Sequence, residues 1–325
     1  MGWIAATYPS HVIKPIKGGN MSPIIDAHSH IGDILYPGGG KIIEKKGVRK
    51  KLIFDPITIS QMGLNRDYGM GNLPYKIFLH WVIRAEQERN FTATRENARK
   101  SMDRNGVTAT ACMPIPPYVV FSDVKAAAEK DPGLIPFTGV DFSDTSQLDK
   151  QFEAEVAAGA KGLKLHPIIQ KVSFTDPRMK KAVQAFMRFD LPILFHAGVS
   201  NYYVGSEKGK NIPENGGIKE AAELVSSFPE AKFIVGHAGM FDVKDVMQML
   251  GGYQNVWVDT SIQPPGKIRK LIDVFGEDKV LFASDWPFGS RKPAIKAVKA
   301  ACKGNQRLER KVFYENACRL MKIEL

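Results

Sequence analysis

Short apolar runs alternate along the chain with longer stretches in which apolar positions recur at helical spacing. The short runs read as buried strands and the longer stretches as amphipathic helices. Strands are predicted over 24–28, 107–113, 134–140, 162–166, 192–196, 232–237, 255–259 and 280–283. Helices are predicted over 94–105, 123–130, 147–158, 177–189, 218–228, 243–250 and 267–275, with two more over 293–302 and 307–320. Eight strands, each followed by a helix, fit an α/β fold of the (β/α)8 TIM barrel type better than an open doubly wound sheet. No Gly-x-Gly-x-x-Gly fingerprint follows the first strand. The domain reading is an N-terminal extension over 1–20 and a single barrel domain over 21–325.

One connection breaks the regular spacing, because about sixty residues separate the first strand from its helix. Loops of that length are functional or disordered. This one holds Tyr36, the run Gly38-Gly39-Gly40, a basic stretch and a predicted helix over 75–91, so 34–91 is a candidate lid insertion after the first strand. Over 37–51 disorder competes with order.

In a barrel of this kind chemistry sits where the C-terminal ends of the strands meet their following loops. Histidines and one aspartate occupy those ends. His28 and His30 close the first strand in Asp-Ala-His-Ser-His, and positions two apart on a strand share a face, so both imidazoles can reach one ion. His196 ends the fifth strand, His237 the sixth, and Asp285 follows the eighth in Ala-Ser-Asp-Trp-Pro. A lone histidine at a strand end is more often a hydrogen-bonded packing residue, and His11 and His80, which lack a partner motif, are read that way. Five such residues on one edge are hard to explain by packing. Nitrogen and oxygen donors with an open position suit catalytic Zn2+, while Mn2+, Fe2+ or Co2+ can use the same set.

Together, Asp-Ala-His-Ser-His, Gly-Leu-Lys-Leu-His-Pro (162–167), Leu-Phe-His-Ala-Gly (194–198), Val-Gly-His-Ala-Gly (235–239) and Ala-Ser-Asp-Trp-Pro (283–287) resemble the amidohydrolase superfamily, and within it amidohydrolase family 2. That branch includes hydrolases, lactonases and nonoxidative decarboxylases. The resemblance implies His28, His30, His196 and Asp285 as metal ligands, with His237 a further ligand or the group that deprotonates water. Asp285 can both ligate and relay a proton. Lys164 and His166 on the fourth strand point to one face; the resemblance allows a carboxylated Lys164 bridging two metals, but a single ion with His166 lining the site is preferred. For substrate contacts the chain offers Tyr36, Arg66, Tyr68 and Trp81 in the lid and Tyr202, Tyr203 and Trp286 on later loops.

Composition narrows the class further. No apolar run approaches the ~18 residues of a membrane span, and the first twenty residues lack a secretory core. Three cysteines, Cys112, Cys302 and Cys318, form no even framework, so the expected setting is a reduced cytoplasm. The formal charge of +11 is dense over 41–51 and 291–311, yet no nucleic-acid module accompanies it; solvated helix faces are the reading, with a secondary attraction for small anionic substrates. The expected partner is a small molecule, with a homo-oligomer open. The leading activity is metal-assisted hydrolysis of a small ester, lactone or amide. Nonoxidative decarboxylation of an unsaturated or aromatic acid is the alternative, with Arg66 the lid arginine available for its carboxylate, and a non-catalytic binding barrel stands third.

Overall fold

The computed structural model describes residues 11–12, 22–52, 55–61 and 77–324. The predicted strands form as β1 (Ile25–Ser29), β2 (Ala109–Cys112), β3 (Leu134–Pro136, resumed at Thr138–Gly139), β4 (Leu163–Leu165), β5 (Pro192–His196), β6 (Lys232–Gly236), β7 (Val256–Asp259) and β8 (Val280–Leu281). Nearly every strand residue is buried, as expected for a parallel sheet covered on both faces. The run predicted as one strand over 134–140 breaks at Phe137 because it changes partners there: the Phe137 amide donates to Cys112 of β2, the Thr138 amide to Gly162 before β4.

The ladders form two arcs, β1-β2-β3 and β3 through β8 in chain order, all parallel. Backbone bonds from Ala27 to Phe282 and from Asp285 to His28 span the seam between the first and last strands. Interior side chains such as Ala27, Ala111, Ile135, Leu194, Ile234 and Leu281 pack as one cluster, floored by Leu320 and Met321. A larger cluster joins the outer strand faces to the helices.

The helices are α1 (Leu79–Asn90), α2 (Arg95–Asn105), α3 (Phe121–Lys130), α4 (Leu148–Ala157), α5 (Pro177–Phe186), α6 (Ile218–Ser227), α7 (Val243–Leu250), α8 (Pro265–Phe275) and α9 (Arg291–Cys302). Local signals set their ends. Thr94 accepts from the Asn97 amide at the start of α2, and Gly106 at φ +66° closes it, a left-handed position that glycine fills without steric cost. The single helix predicted over 307–320 is instead Gln306–Arg310, a π turn Lys311–Glu315, and Asn316–Met321. There the Val312 carbonyl accepts from the Phe282 amide, so the last strand draws a carbonyl out of the helix ladder.

The stretch 37–51 is ordered. It contains the turn Gly39–Ile42, buries Ile43, and accepts the Arg95 amide on the Ile43 carbonyl. The basic segments are laced with acids: Lys50 pairs with Asp55, Arg307 with Glu277, Lys311 with Asp278, and Arg310 with Glu315. Among the described residues no helix is long and apolar enough to cross a membrane.

Candidate metal centre

The register of β1 shifts between Asp26 and Ser29. Strict alternation would put Asp26 on the face of His28 and His30; instead Asp26 meets Arg291 at 3.0 Å and Ser284 at 2.5 Å behind the strand, while the two histidines enter the barrel. Their ring centroids lie 5.2 Å apart. His237 stacks on His28 at 4.8 Å, and His196 lies 5.2 Å from His237. Asp285 Oδ1 is 3.8 Å from His28 Nε2 and 3.5 Å from His30 Nε2. The five residues singled out in the sequence therefore converge, and all are buried.

Hydrogen bonds fix which imidazole nitrogens carry protons. His28 Nδ1 donates to Asp259 Oδ2 at 2.8 Å, and His30 Nδ1 to the Met113 carbonyl at 2.9 Å, leaving both Nε2 atoms with lone pairs. Ser261 Oγ donates to Asp259 Oδ1 at 2.5 Å, so at 2.8 Å it accepts from His237 Nδ1. His196 is the reverse case: Nε2 donates to the Gly198 carbonyl at 3.2 Å, which leaves Nδ1 as the lone-pair atom. Asp259, which the sequence reading passed over, thus sets one tautomer directly and a second through Ser261. It also accepts the His237 and Ser261 amides. The available signal was a carboxylate ending the seventh predicted strand.

Burial holds His28, His30 and His237 well below the usual imidazole range, with neighbouring cationic groups adding to it, and brings His196 down to about 3. Burial also brings Lys164 down to about 7 against the opposing pull of Asp285 and Asp259. Lys164 Nζ lies 2.9 Å from His28 Nε2. Asp285 is held well above the carboxylate range by burial, with Asp259 and Glu86 adding to it and Lys164 opposing. Both His237 and Asp285 sit at positive φ, +55° and +56°, and Ala238 to Met240 continue at positive φ, strain that accompanies loops at functional sites.

The family model described as amidohydrolase matches residues 25–323. The chain belongs to the amidohydrolase family. It is an amidohydrolase-type enzyme of the metal-dependent kind. No curated protein matches it. Among solved structures it is similar to 5-carboxyvanillate decarboxylase from Novosphingobium aromaticivorans, complexed with manganese and 4-hydroxy-3-methoxy-5-nitrobenzoic acid, at 16% identity and TM-score 0.64 over 97% of this chain and 100% of that one. A 2,6-dihydroxybenzoate decarboxylase from Rhizobium matches at 15% and 0.63 over 93% and 99%. A probable 2-pyrone-4,6-dicarboxylic acid hydrolase from Acinetobacter baumannii with citric acid bound matches at 15% and 0.57 over 92% and 99%. These likenesses establish the TIM-barrel fold.

The donor set of this amidohydrolase suits a divalent ion. His28, His30 and Asp285 form one group of ligand atoms within 4.8 Å of one another; His28, His237 and Asp259 form another. Both Asp259 oxygens are already engaged, which favours the first group. Among the described residues two buried side-chain atoms have no hydrogen-bond partner, His196 Nδ1 and Asp285 Oδ1, and an electrophile would satisfy both. Both ring nitrogens of His166 are engaged: Nδ1 accepts the Ile169 amide at 3.3 Å and Nε2 faces Tyr202 Oη at 3.1 Å, while its ring stacks on His196 at 4.2 Å.

Of the residues offered for substrate contacts, Tyr36 Oη donates to Glu207 at 2.9 Å and Tyr203 Oη to the Leu35 carbonyl at 3.0 Å, tying the first-strand loop to the fifth. Trp286 is buried beneath the Arg291 guanidinium. Trp81 is 59% exposed. Arg66 and Tyr68 lie outside the described residues. His80 accepts from Arg84 on the outer surface of α1, in keeping with its exclusion from the metal set.

Proposed function

We propose that His28, His30, His196 and Asp285 hold one divalent ion, zinc before manganese, iron or cobalt, and that the enzyme hydrolyses a small ester, lactone or amide. The observation that carries this reading is the unpartnered, buried Asp285 Oδ1 facing two Nε2 lone pairs, with His237 at its other oxygen. A divalent ion there supplies Lewis acidity, polarising a carbonyl oxygen and making water a stronger acid. The remaining work falls to the chain. Asp285 takes the proton of the attacking water on a carboxylate oxygen and passes it to the leaving oxygen or nitrogen. His237, its Nδ1 proton held by Ser261, presents Nε2 as a second proton acceptor. Asp259 keeps both imidazoles in the required tautomer, and the buried walls exclude bulk water.

Activity of the reconstituted protein on a panel of lactones, esters and amides, before and after chelation, tests the reading. Chelator-sensitive turnover to a carboxylate that falls by at least about a hundredfold in D285N is the expected result. Turnover indifferent to both would overturn it. Decarboxylation is the second reading, and the decarboxylases among the similar structures favour it. Release of CO2 from 2,6-dihydroxybenzoate or a related aromatic acid, without net uptake of water, would select it.

A further inference from the structure

The strand β8 leaves its ladder just before the site. Beyond Leu281 its amides turn to other partners: Ala283 donates to Thr260 Oγ1 at 3.2 Å, Ser284 to Asp26 Oδ1 at 2.8 Å, and Asp285 to the His28 carbonyl at 2.9 Å. The Asp26 carboxylate thus takes the place of a strand carbonyl at Ser284. Its second oxygen accepts from Ser284 Oγ at 2.5 Å and from Arg291 Nε at 3.0 Å. Ser284 Oγ in turn accepts the Trp286 amide at 3.2 Å, so one hydroxyl ties the residues before and after Asp285. The Arg291 guanidinium lies over the Trp286 ring at 5.1 Å and donates to Thr110 Oγ1 at 3.2 Å, which fixes the far side of the turn. Asp26, Ser284 and Arg291 are all buried.

Asp285 sits inside this turn at φ +56°, a left-handed conformation that a residue with a Cβ keeps only where its surroundings hold it. From there its Oδ1 lies 3.8 Å from His28 Nε2 and 3.5 Å from His30 Nε2. We propose that Ser284 is a positioning residue of the metal centre: anchored by the buried Asp26–Arg291 pair, it holds the turn that projects the Asp285 carboxylate beside the two histidines. A hydroxyl can give one proton and accept on its lone pairs at once, and Ser284 uses both functions, toward Asp26 and toward the Trp286 amide. Alanine removes both bonds together and lets Asp285 relax out of the left-handed region. The histidine rings are held separately, His28 by Asp259 and His30 by the Met113 carbonyl, so the effect of Ser284 on the ion passes through Asp285.

The assignment rests on the single-ion reading above, and its test does not require turnover. Chelator competition gives the zinc affinity of the full chain for wild type, S284A, S284T, D285A and the double variant S284A/D285A. S284A is expected to bind zinc at least about tenfold more weakly than wild type, and S284T, which keeps the hydroxyl, within about threefold of it. In the D285A background the S284A change is expected to cost less than about twofold, because the group it positions is already gone. A serine that serves the fold alone would weaken both backgrounds alike. Melting temperatures of the metal-free proteins read the cost to the fold separately. Wild-type affinity in S284A, a loss in S284T as large as in S284A, or a loss that adds in full to that of D285A would each overturn the proposal. Wild type that binds no zinc would overturn the single-ion reading and this proposal together, whereas zinc on wild type with full additivity overturns the positioning role alone.

Discussion

Asp259 has both oxygens engaged by neighbouring groups of the chain. It accepts from His28 Nδ1 and, through Ser261, directs the proton of His237. Replacing it with alanine frees both rings to take either tautomer, and such partners of metal-binding histidines typically carry 10- to 100-fold in affinity. D259A is expected to lose that much zinc affinity in a chelator competition titration, and S261A less, since the direct bond to His28 survives. The imidazoles also set an acid limit. His28, His30, His166, His196 and His237 are all held below their unfolded value by burial, so the unfolded chain binds more protons below about 6.5. Their contribution to stability is complete above that pH and lost as pH falls toward the folded values. The carboxyls Asp26, Asp33, Glu86, Glu155 and Asp285, raised by burial, oppose the trend and reduce the difference. With His28, His30, His166 and His237 held well below their ordinary range, urea unfolding of the metal-free protein is expected to show lower stability at pH 5 than at pH 7; an unchanged or higher midpoint at pH 5 would contradict the neutral, buried cluster.

Elements of the barrel were legible in the sequence because hydrophobic runs, Thr94 and Gly106 all point the same way locally. The site residues were legible because the ends of those runs carry histidine. What the sequence did not show depends on contacts between distant segments. The β1 register shift turns Asp26 toward Arg291, 265 positions away, and the strand break at Phe137 follows a change of neighbours. The insertion after β1 is the same kind of case: a helix is predicted there, but the contacts that dock it are not. Arg89 latches it, buried against Asp55 and two carbonyls. R89A leaves Asp55 without its main partner and is expected to cost about 3 kcal/mol in urea unfolding. At Asp55 the effect of burial is outweighed by Arg89 and Lys50, so that its carboxyl is lowered to about 2. The latch holds above the ordinary carboxylate range and weakens as pH falls from about 4 toward 2.

The whole molecule combines a rigid parallel barrel with a site that its own atoms leave incomplete. Part of the basic surface is neutralised by ion pairs along the helix faces, Arg307 with Glu277, Lys311 with Asp278 and Arg310 with Glu315, within a chain whose net charge is +11. A ligand that binds the folded state alone raises its stability, so removing the ion should lower the melting temperature by several degrees and restoring it should reverse the change. The proposed single ion among His28, His30, His196 and Asp285 is tested most directly by metal analysis of the wild-type chain and of H28A and D285A after zinc reconstitution and gel filtration. About one zinc per wild-type chain, loss of most of it in both variants, and an unmodified Lys164 by mass spectrometry are expected. No retained metal in wild type, or about two ions per chain with a carboxylated Lys164, would contradict it.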